Sequence, residues 1–368
     1  AALRTLGTTY LSMKNYQKAI EYLQEGFTIA KEIKNRKLQS EILPLILSIQ
    51  RQNDSRFAEA NVLLDESIVM SNTSQFKAAI ELNQKALKIY QEIKEPISEA
   101  TALNNIGIND VFLGNYERGI SYIEQSLVLA RKNSDPLNEN RALGNLGITY
   151  RRKGDYPKAI NYFQQQLAIA QEIEDHLSEV KVLANLGNVH QNQENYEQAI
   201  SYHEQSLTLA RKINNLHAEG MAIGNIGNSY GMIGNYGKAI EFLQKSLEIA
   251  EKVNNPYDKQ KTLSRLGNIY NSFAEYSKAK EYFLKSLEIA RAIGDREAEG
   301  GVLGDIGYVY RSQGDHKTAV SYHEQHLEIA RKIGNPASEG QALSDLGGSY
   351  VSLGEFRKAI DYYEQSLY

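Results

Sequence analysis

Residues 141–173 read RALGNLGITYRRKGDYPKAINYFQQQLAIAQEI, and this unit returns every 40 residues. The glycine in the middle of its first half recurs with no insertion or deletion at Gly107, Gly147, Gly187, Gly227, Gly267, Gly307 and Gly347. A fixed period of this length is typical of stacked repeat arrays. The sequence therefore predicts a fold in which copies of one unit bury a continuous core between neighbours.

Each unit carries two apolar stripes with helical spacing. In the first half the stripe includes Leu143, Leu146 and Tyr150, and in the second half it includes Phe163 and Leu167. Residues spaced by three or four positions share one face of an α-helix. We therefore expect each unit to be an antiparallel pair of helices joined by tight turns.

The turns have their own signals. Between the two halves lies Gly154, which can end a helix in the left-handed conformation, with counterparts at Gly114, Gly234, Gly314 and Gly354. Before the next first helix, the chain places a helix-capping Asp or Asn ahead of proline in Asp135-Pro136, Asn255-Pro256 and Asn335-Pro336. A glutamate follows in the first turn of most first helices, where the helix dipole favours negative charge.

Tyrosine forms three columns with the same 40-residue period, represented by Tyr150, Tyr156 and Tyr162. Because the aromatic residues follow the structural repeat, we interpret them as packing between helices rather than as a ligand site.

Bulk composition excludes several classes of protein. The 368 residues carry a formal net charge of -4, which disfavours nucleic acid as a partner. No run approaches the length of a membrane span, so we expect no membrane partner. The absence of Cys excludes disulfides and thiol nucleophiles and fits a reducing compartment, and we expect a cytoplasmic location. No phosphate-binding loop or nucleophile motif is present, so the sequence predicts a non-enzyme without a cofactor.

The recurring Leu-Gly, Gly-Asp/Asn-Tyr and Lys-Ala-Ile residues resemble the tetratricopeptide repeat in its 40-residue form. The pattern is similar to the repeats of LGN/Pins spindle-orientation adaptors. It is also similar to those of cyanobacterial signalling proteins that join such repeats to caspase-like (CHAT), nucleotide-binding or kinase domains. The resemblance implies an all-α fold, a right-handed superhelical α-solenoid of antiparallel helix pairs. It also implies that the first helices line a concave groove.

The N-terminal quarter departs from the period. We divide the chain into irregular N-terminal units at 1–94, with an odd half-repeat, and regular units at 95–368, all within one continuous solenoid. Residues 38–53 read as a degenerate first helix, with Leu47 where glycine is expected. The stretches 57–64 and 75–80 both read as second helices, so one partner helix is missing, or residues near 71–75 hide a gap. Both chain ends cut a repeat, which suggests a piece of a longer protein with additional domains.

The first helices also carry a column of asparagines on the face opposite the core stripe. Amide groups along a groove can hydrogen-bond the backbone of an extended peptide, and the resemblance implies such a role because kinesin light chains and related adaptors use groove asparagines in this way. Nearby arginines predict a peptide with acidic residues. The candidate peptide-binding residues are Asn105, Asn145, Arg152, Asn185, Asn188, Asn225, Asn228, Arg265 and Asn268. Alternatively, these asparagines cap neighbouring helices or bond across the repeat.

Two further features leave alternatives open. A column of small residues that includes Gly144 and Gly304 either widens the groove or allows tight contact between helices. His323 and His326 lie one turn apart, but their spacing differs from that of zinc proteases, so we expect no metal site.

The sequence thus predicts a scaffold or adaptor that binds a protein or peptide segment in its groove. The alternative is a sensor or autoinhibitory region of a larger signalling enzyme of the caspase-like, NB-ARC/NACHT or kinase type.

Overall fold

A computed structural model describes residues 2–50 and 55–367, and every regular element in these residues is an α-helix. The all-α fold is therefore confirmed. In chain order the helices are α1 (Ala2–Ser12), α2 (Tyr16–Glu32), α3 (Arg36–Gln50), α4 (Ser55–Asn72), α5 (Phe76–Glu92), α6 (Pro96–Phe112), α7 (Tyr116–Lys132), α8 (Pro136–Arg152), α9 (Tyr156–Glu172), α10 (His176–Asn192), α11 (Tyr196–Lys212), α12 (Leu216–Met232), α13 (Tyr236–Lys252), α14 (Pro256–Ser272), α15 (Tyr276–Ile293), α16 (Arg296–Ser312), α17 (His316–Ile333), α18 (Pro336–Ser352) and α19 (Phe356–Ser366).

The turns between helices use the left-handed conformation, as the glycines predict. Gly154 has φ +78°, and Gly114, Gly234, Gly314 and Gly354 are similar. The same conformation also occurs where the sequence offers no glycine, for example at Lys14, Glu194 and Ala274. A left-handed residue with a Cβ atom is strained by about 1–2 kcal/mol. The stacking of the helices must therefore impose this geometry on the turns without glycine.

Replacing Ala274 by glycine is expected to stabilise the protein by about 1 kcal/mol, because Ala274 has φ +60° and glycine tolerates that angle. The converse change, Gly154→Ala, is expected to cost a similar amount. Urea denaturation followed by circular dichroism measures both shifts. If Ala274→Gly and Gly154→Ala had equal urea midpoints, the backbone strain assigned to Ala274 would be contradicted.

Four boundaries between repeats combine a helix cap with an ion pair across the turn. The side chain of Asp135 accepts hydrogen bonds from the backbone N–H groups of Leu137 and Asn138, with Pro136 in the first helical turn. The glutamates of the first turn do more than complement the dipole. Arg131 Nε donates to Glu139 Oε1 across the turn at 2.9 Å. The same bond, eight residues apart, joins Arg211 to Glu219, Arg291 to Glu299 and Arg331 to Glu339.

Within each pair the helices approach closely at the glycine column. A Cβ atom on Gly147 would lie 2.6 Å from the Phe163 ring, so only glycine fits there.

The tyrosine columns pack helix against helix, as predicted. Tyr150 of α8 stacks on Tyr162 of α9 with ring centroids 5.4 Å apart, and Lys158 lies over the Tyr150 ring at 4.9 Å. Similar stacks recur along the chain.

The odd half-repeat has a different structure from the one the sequence suggests. The turn between α4 and α5 is continuous, with the N–H groups of Thr73 and Gln75 both donating to the Met70 carbonyl. Although its sequence resembles a second helix, α4 pairs with α5 as a first helix does. Ala60 and Ala86 share one core cluster, 26 residues apart. The same separation joins first and second helices in later pairs. In this pairing α4 takes the position of a first helix, which is also the position that the sequence predicts for α3. Residues 51–53 of the expected first helix lie outside the described residues.

Contacts divide the chain into two compact units. Unit 1 comprises residues up to Val69 with Lys77–Val111 and Asn115–Val189, and unit 2 comprises Met70–Phe76, Phe112–Gly114 and the chain from His190 onward. Among the described residues, none of the helices combines the length and apolar character needed to cross a membrane.

Candidate binding surfaces

The predicted asparagine column lies on the first helices of both units. Unit 1 holds Asn105, Asn145, Arg152, Asn185 and Asn188. Unit 2 holds the other four predicted residues, which are Asn225, Asn228, Arg265 and Asn268. Asn225 is buried, Arg152 and Asn268 are exposed, and the others are half-buried.

Two of the predicted asparagines already bond across the repeat. Asn145 Nδ2 donates to Asn104 Oδ1 of the preceding first helix at 3.1 Å. In unit 2, Arg265 donates to Asn225 Oδ1 at 2.8 Å, and burial lowers the pKa of Arg265 to about 10. At these positions the amide groups hold neighbouring first helices together. The alternative role considered for the column therefore applies to Asn145 and Asn225.

The remaining asparagines keep their side-chain amides available. Asn105 of α6, Asn185 and Asn188 of α10, Asn228 of α12 and Asn268 of α14 make no side-chain hydrogen bond within the described residues, and all of them except Asn268 are half-buried. A half-buried amide with unused donors and acceptors can form hydrogen bonds to a ligand. Because the amide is already partly removed from water, binding the ligand costs less desolvation free energy. These five positions give the peptide-binding interpretation its strongest support.

Further along unit 2 the same column turns acidic, with Asp305 on α16 and Asp345 on α18. Burial, and then the charge of Asp345, raise the pKa of Asp305 to about 7, while the Ser264 hydroxyl bonded to it favours the charged form. Burial also raises the pKa of Asp345. The sequence places both acids in the column, but it does not reveal their burial, which depends on the packing of neighbouring first helices.

The small-residue column serves helix packing. A Cβ atom on Gly144 would meet the Gln166 side chain at 2.6 Å, and one on Gly304 would lie 2.9 Å from His326 Nδ1. Gly224 faces Ser246 in the same way. Of the two explanations left open by the sequence, tight contact between the two helices of a pair accounts for these three glycines.

His323 and His326 of α17 lie in two separate environments. The His323 ring packs on Gly307, and the His326 ring lies beside Gly300 and Gly304, with Nε2 3.0 Å from the Ser338 hydroxyl. No group of three potential ligands suited to a metal ion occurs in residues 2–50 and 55–367.

Family comparison agrees with this geometry. Models of the tetratricopeptide repeat match residues 98–172, 138–212, 178–252, 218–292, 258–332 and 299–367, and a further one matches 4–33. A comparison with curated proteins gives no match.

Solved structures share the fold at low sequence identity. A Rap protein complexed with competence and sporulation factor aligns with a TM-score of 0.63 at 12% identity, covering 90% of this chain and 98% of its own. The apo quorum sensor NprR from B. thuringiensis aligns at 0.58 and 14%, covering 98% and 99%. A signal transduction ATPase from Pyrococcus horikoshii with a tetratricopeptide repeat sensor aligns at 0.54 and 17%, covering 96% of this chain and 52% of that protein.

Proposed function

The chain belongs to the tetratricopeptide repeat family, and from this premise we propose that it is a non-catalytic interaction scaffold that binds a peptide segment of a partner protein. The observation that carries the proposal is the set of half-buried asparagine amides that have no hydrogen-bond partner within the described residues, at Asn105, Asn185, Asn188 and Asn228. Exposed Asn268 extends the set in unit 2.

The chemistry of these residues favours an extended peptide backbone. Each amide offers two donors and one acceptor, which match the alternating C=O and N–H groups of a strand-like segment. Net gain per hydrogen bond is about 1 kcal/mol, so several asparagines must act together. In unit 1 the exposed guanidinium groups of Arg141 and Arg152 favour acidic side chains in the bound segment. The similar Rap protein was solved with a bound factor, which is consistent with ligand binding by this fold.

The test is selection of peptides from a displayed random library on the intact chain, followed by affinity measurement with a fluorescent copy of an enriched peptide. For a peptide held by unit 1, Asn185→Ala with Asn188→Ala is expected to weaken binding about 30-fold, because two hydrogen bonds of about 1 kcal/mol each are lost. For one held by unit 2, Asn228→Ala with Asn268→Ala is the equivalent pair.

The matched control is Asn161→Ala, which removes an exposed asparagine from the second helix α9. Its affinity should equal that of the wild type. Circular dichroism verifies that all variants keep their helicity. If both double variants bind every enriched peptide as tightly as the wild type, the asparagines do not form the site.

A second candidate is a sensor or autoinhibitory region within a larger signalling enzyme. The similarity to the Pyrococcus horikoshii protein, of which this chain covers 52%, favours it. Sequencing the complete reading frame tests it. A nucleotide-binding, caspase-like or kinase domain in the same frame would support the sensor role, and a frame that contains repeats alone would contradict it.

A further inference from the structure

Unit 1 contains a polar cavity of about 430 Å³ where two turns separated by 100 residues come together. One is the α2–α3 turn and the other is the α7–α8 turn, and the helices that flank them complete the walls. The volume falls within the range of about 300–1,000 Å³ that is typical of small-molecule sites. The lining residues are Lys31, Lys34, Arg36, Gln39, Arg131, Ser134, Pro136, Glu139 and Glu172.

Ion pairs between α3 and α8–α9 help to form this cavity. Arg36 contacts Glu139 at 3.3 Å and Glu172 at 3.5 Å, and Lys37 pairs with Glu174. Both Arg36 distances exceed the 2.7–2.9 Å of a charge-assisted hydrogen bond. The planar guanidinium group of Arg36 therefore retains donors that another anion can use.

The carboxylates of the cavity are already engaged. Glu139, whose side chain is 7% exposed, accepts a 2.9 Å hydrogen bond from Arg131 and also faces Arg36. Four cationic and two anionic side chains line the cavity, which leaves two positive charges without counterparts. The ammonium groups of Lys31 and Lys34 have no ion pair within the described residues.

We propose that this cavity binds a small organic phosphate, held by Lys31, Lys34 and Arg36. A phosphate monoester carries about −1.5 to −2 charges at neutral pH, which matches the two unbalanced positive charges. The phosphate oxygens can accept hydrogen bonds from the ammonium groups of Lys31 and Lys34. They can also accept two parallel hydrogen bonds from the planar guanidinium group of Arg36. The volume beyond the phosphate accommodates an organic body against Pro136 and Gln39. The three cations that hold the phosphate all belong to α2–α3, and Arg131 of α7, paired with Glu139, lies in the opposite wall of the cavity.

Titration calorimetry of the intact chain with inorganic phosphate and with glycerol 3-phosphate tests the site, at constant ionic strength and with acetate as the comparison anion. Saturable binding near 1 mM is expected for both phosphates, equivalent to about 4 kcal/mol, with none for acetate. Lys31→Gln should weaken binding about tenfold by removing one ion pair. Glu172→Gln should strengthen it about threefold by removing a repelling charge.

The chain offers a matched control for Lys34. Lys34 and Lys94 both occupy left-handed turn positions, with φ 54° and 58°, but Lys94 does not line the cavity. Lys34→Gly is expected to weaken phosphate binding about tenfold, while Lys94→Gly leaves it unchanged. Absence of saturation with both phosphates overturns the proposal. So does equal weakening by Lys34→Gly and Lys94→Gly, since that would indicate a general charge effect.

Discussion

Lowering the pH from 7.5 to 5 is expected to reduce the free energy of unfolding by about 4 kcal/mol through His203 and His323 alone. Both side chains are fully buried, and neither ring nitrogen has a hydrogen-bond partner among residues 2–50 and 55–367. Burial, followed by the charges of Arg265 and Lys261, lowers the pKa of His203 to about 3. Burial, followed by Arg311 and His326, lowers that of His323 to about 4.

The sign follows from proton linkage. With folded-state pKa values below the ordinary value of about 6.5, the unfolded chain binds more protons than the native chain between pH 6.5 and pH 4. The stabilising contribution of the neutral rings is therefore complete above pH 6.5. It is lost as the pH falls, at about 2 kcal/mol for each histidine by pH 5.

Urea denaturation at a series of pH values measures this loss. His203 and His323 occupy the column of Phe163, Leu243 and Phe283, so leucine suits both sites. The double variant His203→Leu with His323→Leu should keep most of its stability at pH 5. Replacing the exposed His217 by glutamine serves as the control and should leave the acid sensitivity in place. Equal acid sensitivity in the wild type and the double leucine variant would contradict the assignment.

Two glycine-to-alanine changes within helices are expected to act in opposite directions. A Cβ atom on Gly267 would lie 2.6 Å from the Phe283 ring, whereas one on Gly301 would have no neighbour within 4 Å in the described part of the chain beyond its own helical turn. Gly267→Ala should destabilise the protein by about 1–3 kcal/mol because the ring must move in a packed core. Gly301→Ala should stabilise it by about 0.5–1 kcal/mol, since alanine is the better helix former.

The midpoint of urea denaturation, followed by the helical circular dichroism signal, measures both effects. Gly237→Ala is a second control, because its Cβ atom would also point into open space, at an exposed position of α13. Destabilisation of similar size at Gly301 and Gly267 would show that helix entropy or local solvation, rather than the Phe283 contact, governs both positions.

Much of the fold follows from sequence periodicity. The 40-residue repeat predicts the helix pairs, and Gly154 and its counterparts predict the turn geometry. The turns at Ala274, Glu194 and Lys14 carry no such signal, because tertiary packing imposes a conformation that these residues disfavour by themselves. The role of α4 is likewise hidden, since a second-helix pattern and a first-helix pattern differ little when both bury one apolar stripe.

The candidate sites were less accessible to sequence reasoning. The asparagine column is visible, but whether an amide is free depends on the next repeat, as the Arg265 bond to Asn225 demonstrates. The cavity between α2–α3 and α7–α9 joins residues about 100 positions apart. No local sequence motif marks this cavity, because in the sequence Lys31 and Lys34 resemble ordinary surface lysines. Only in the folded chain, where ion pairs join α3 to α8–α9, does Arg131 lie close to them.

The pairing of α4 with α5 has a consequence for how such chains diverge. Successive helices from α2 onward begin close to every 20 residues, whether they serve as first or second helices. A duplication or loss of one helix of this length exchanges the two roles downstream while preserving the helix-to-helix stride. One helix, rather than one complete repeat, is therefore the smallest insertion or deletion that this architecture accommodates. The succession of α3 and α4 is the pattern that the loss of one such helix would leave.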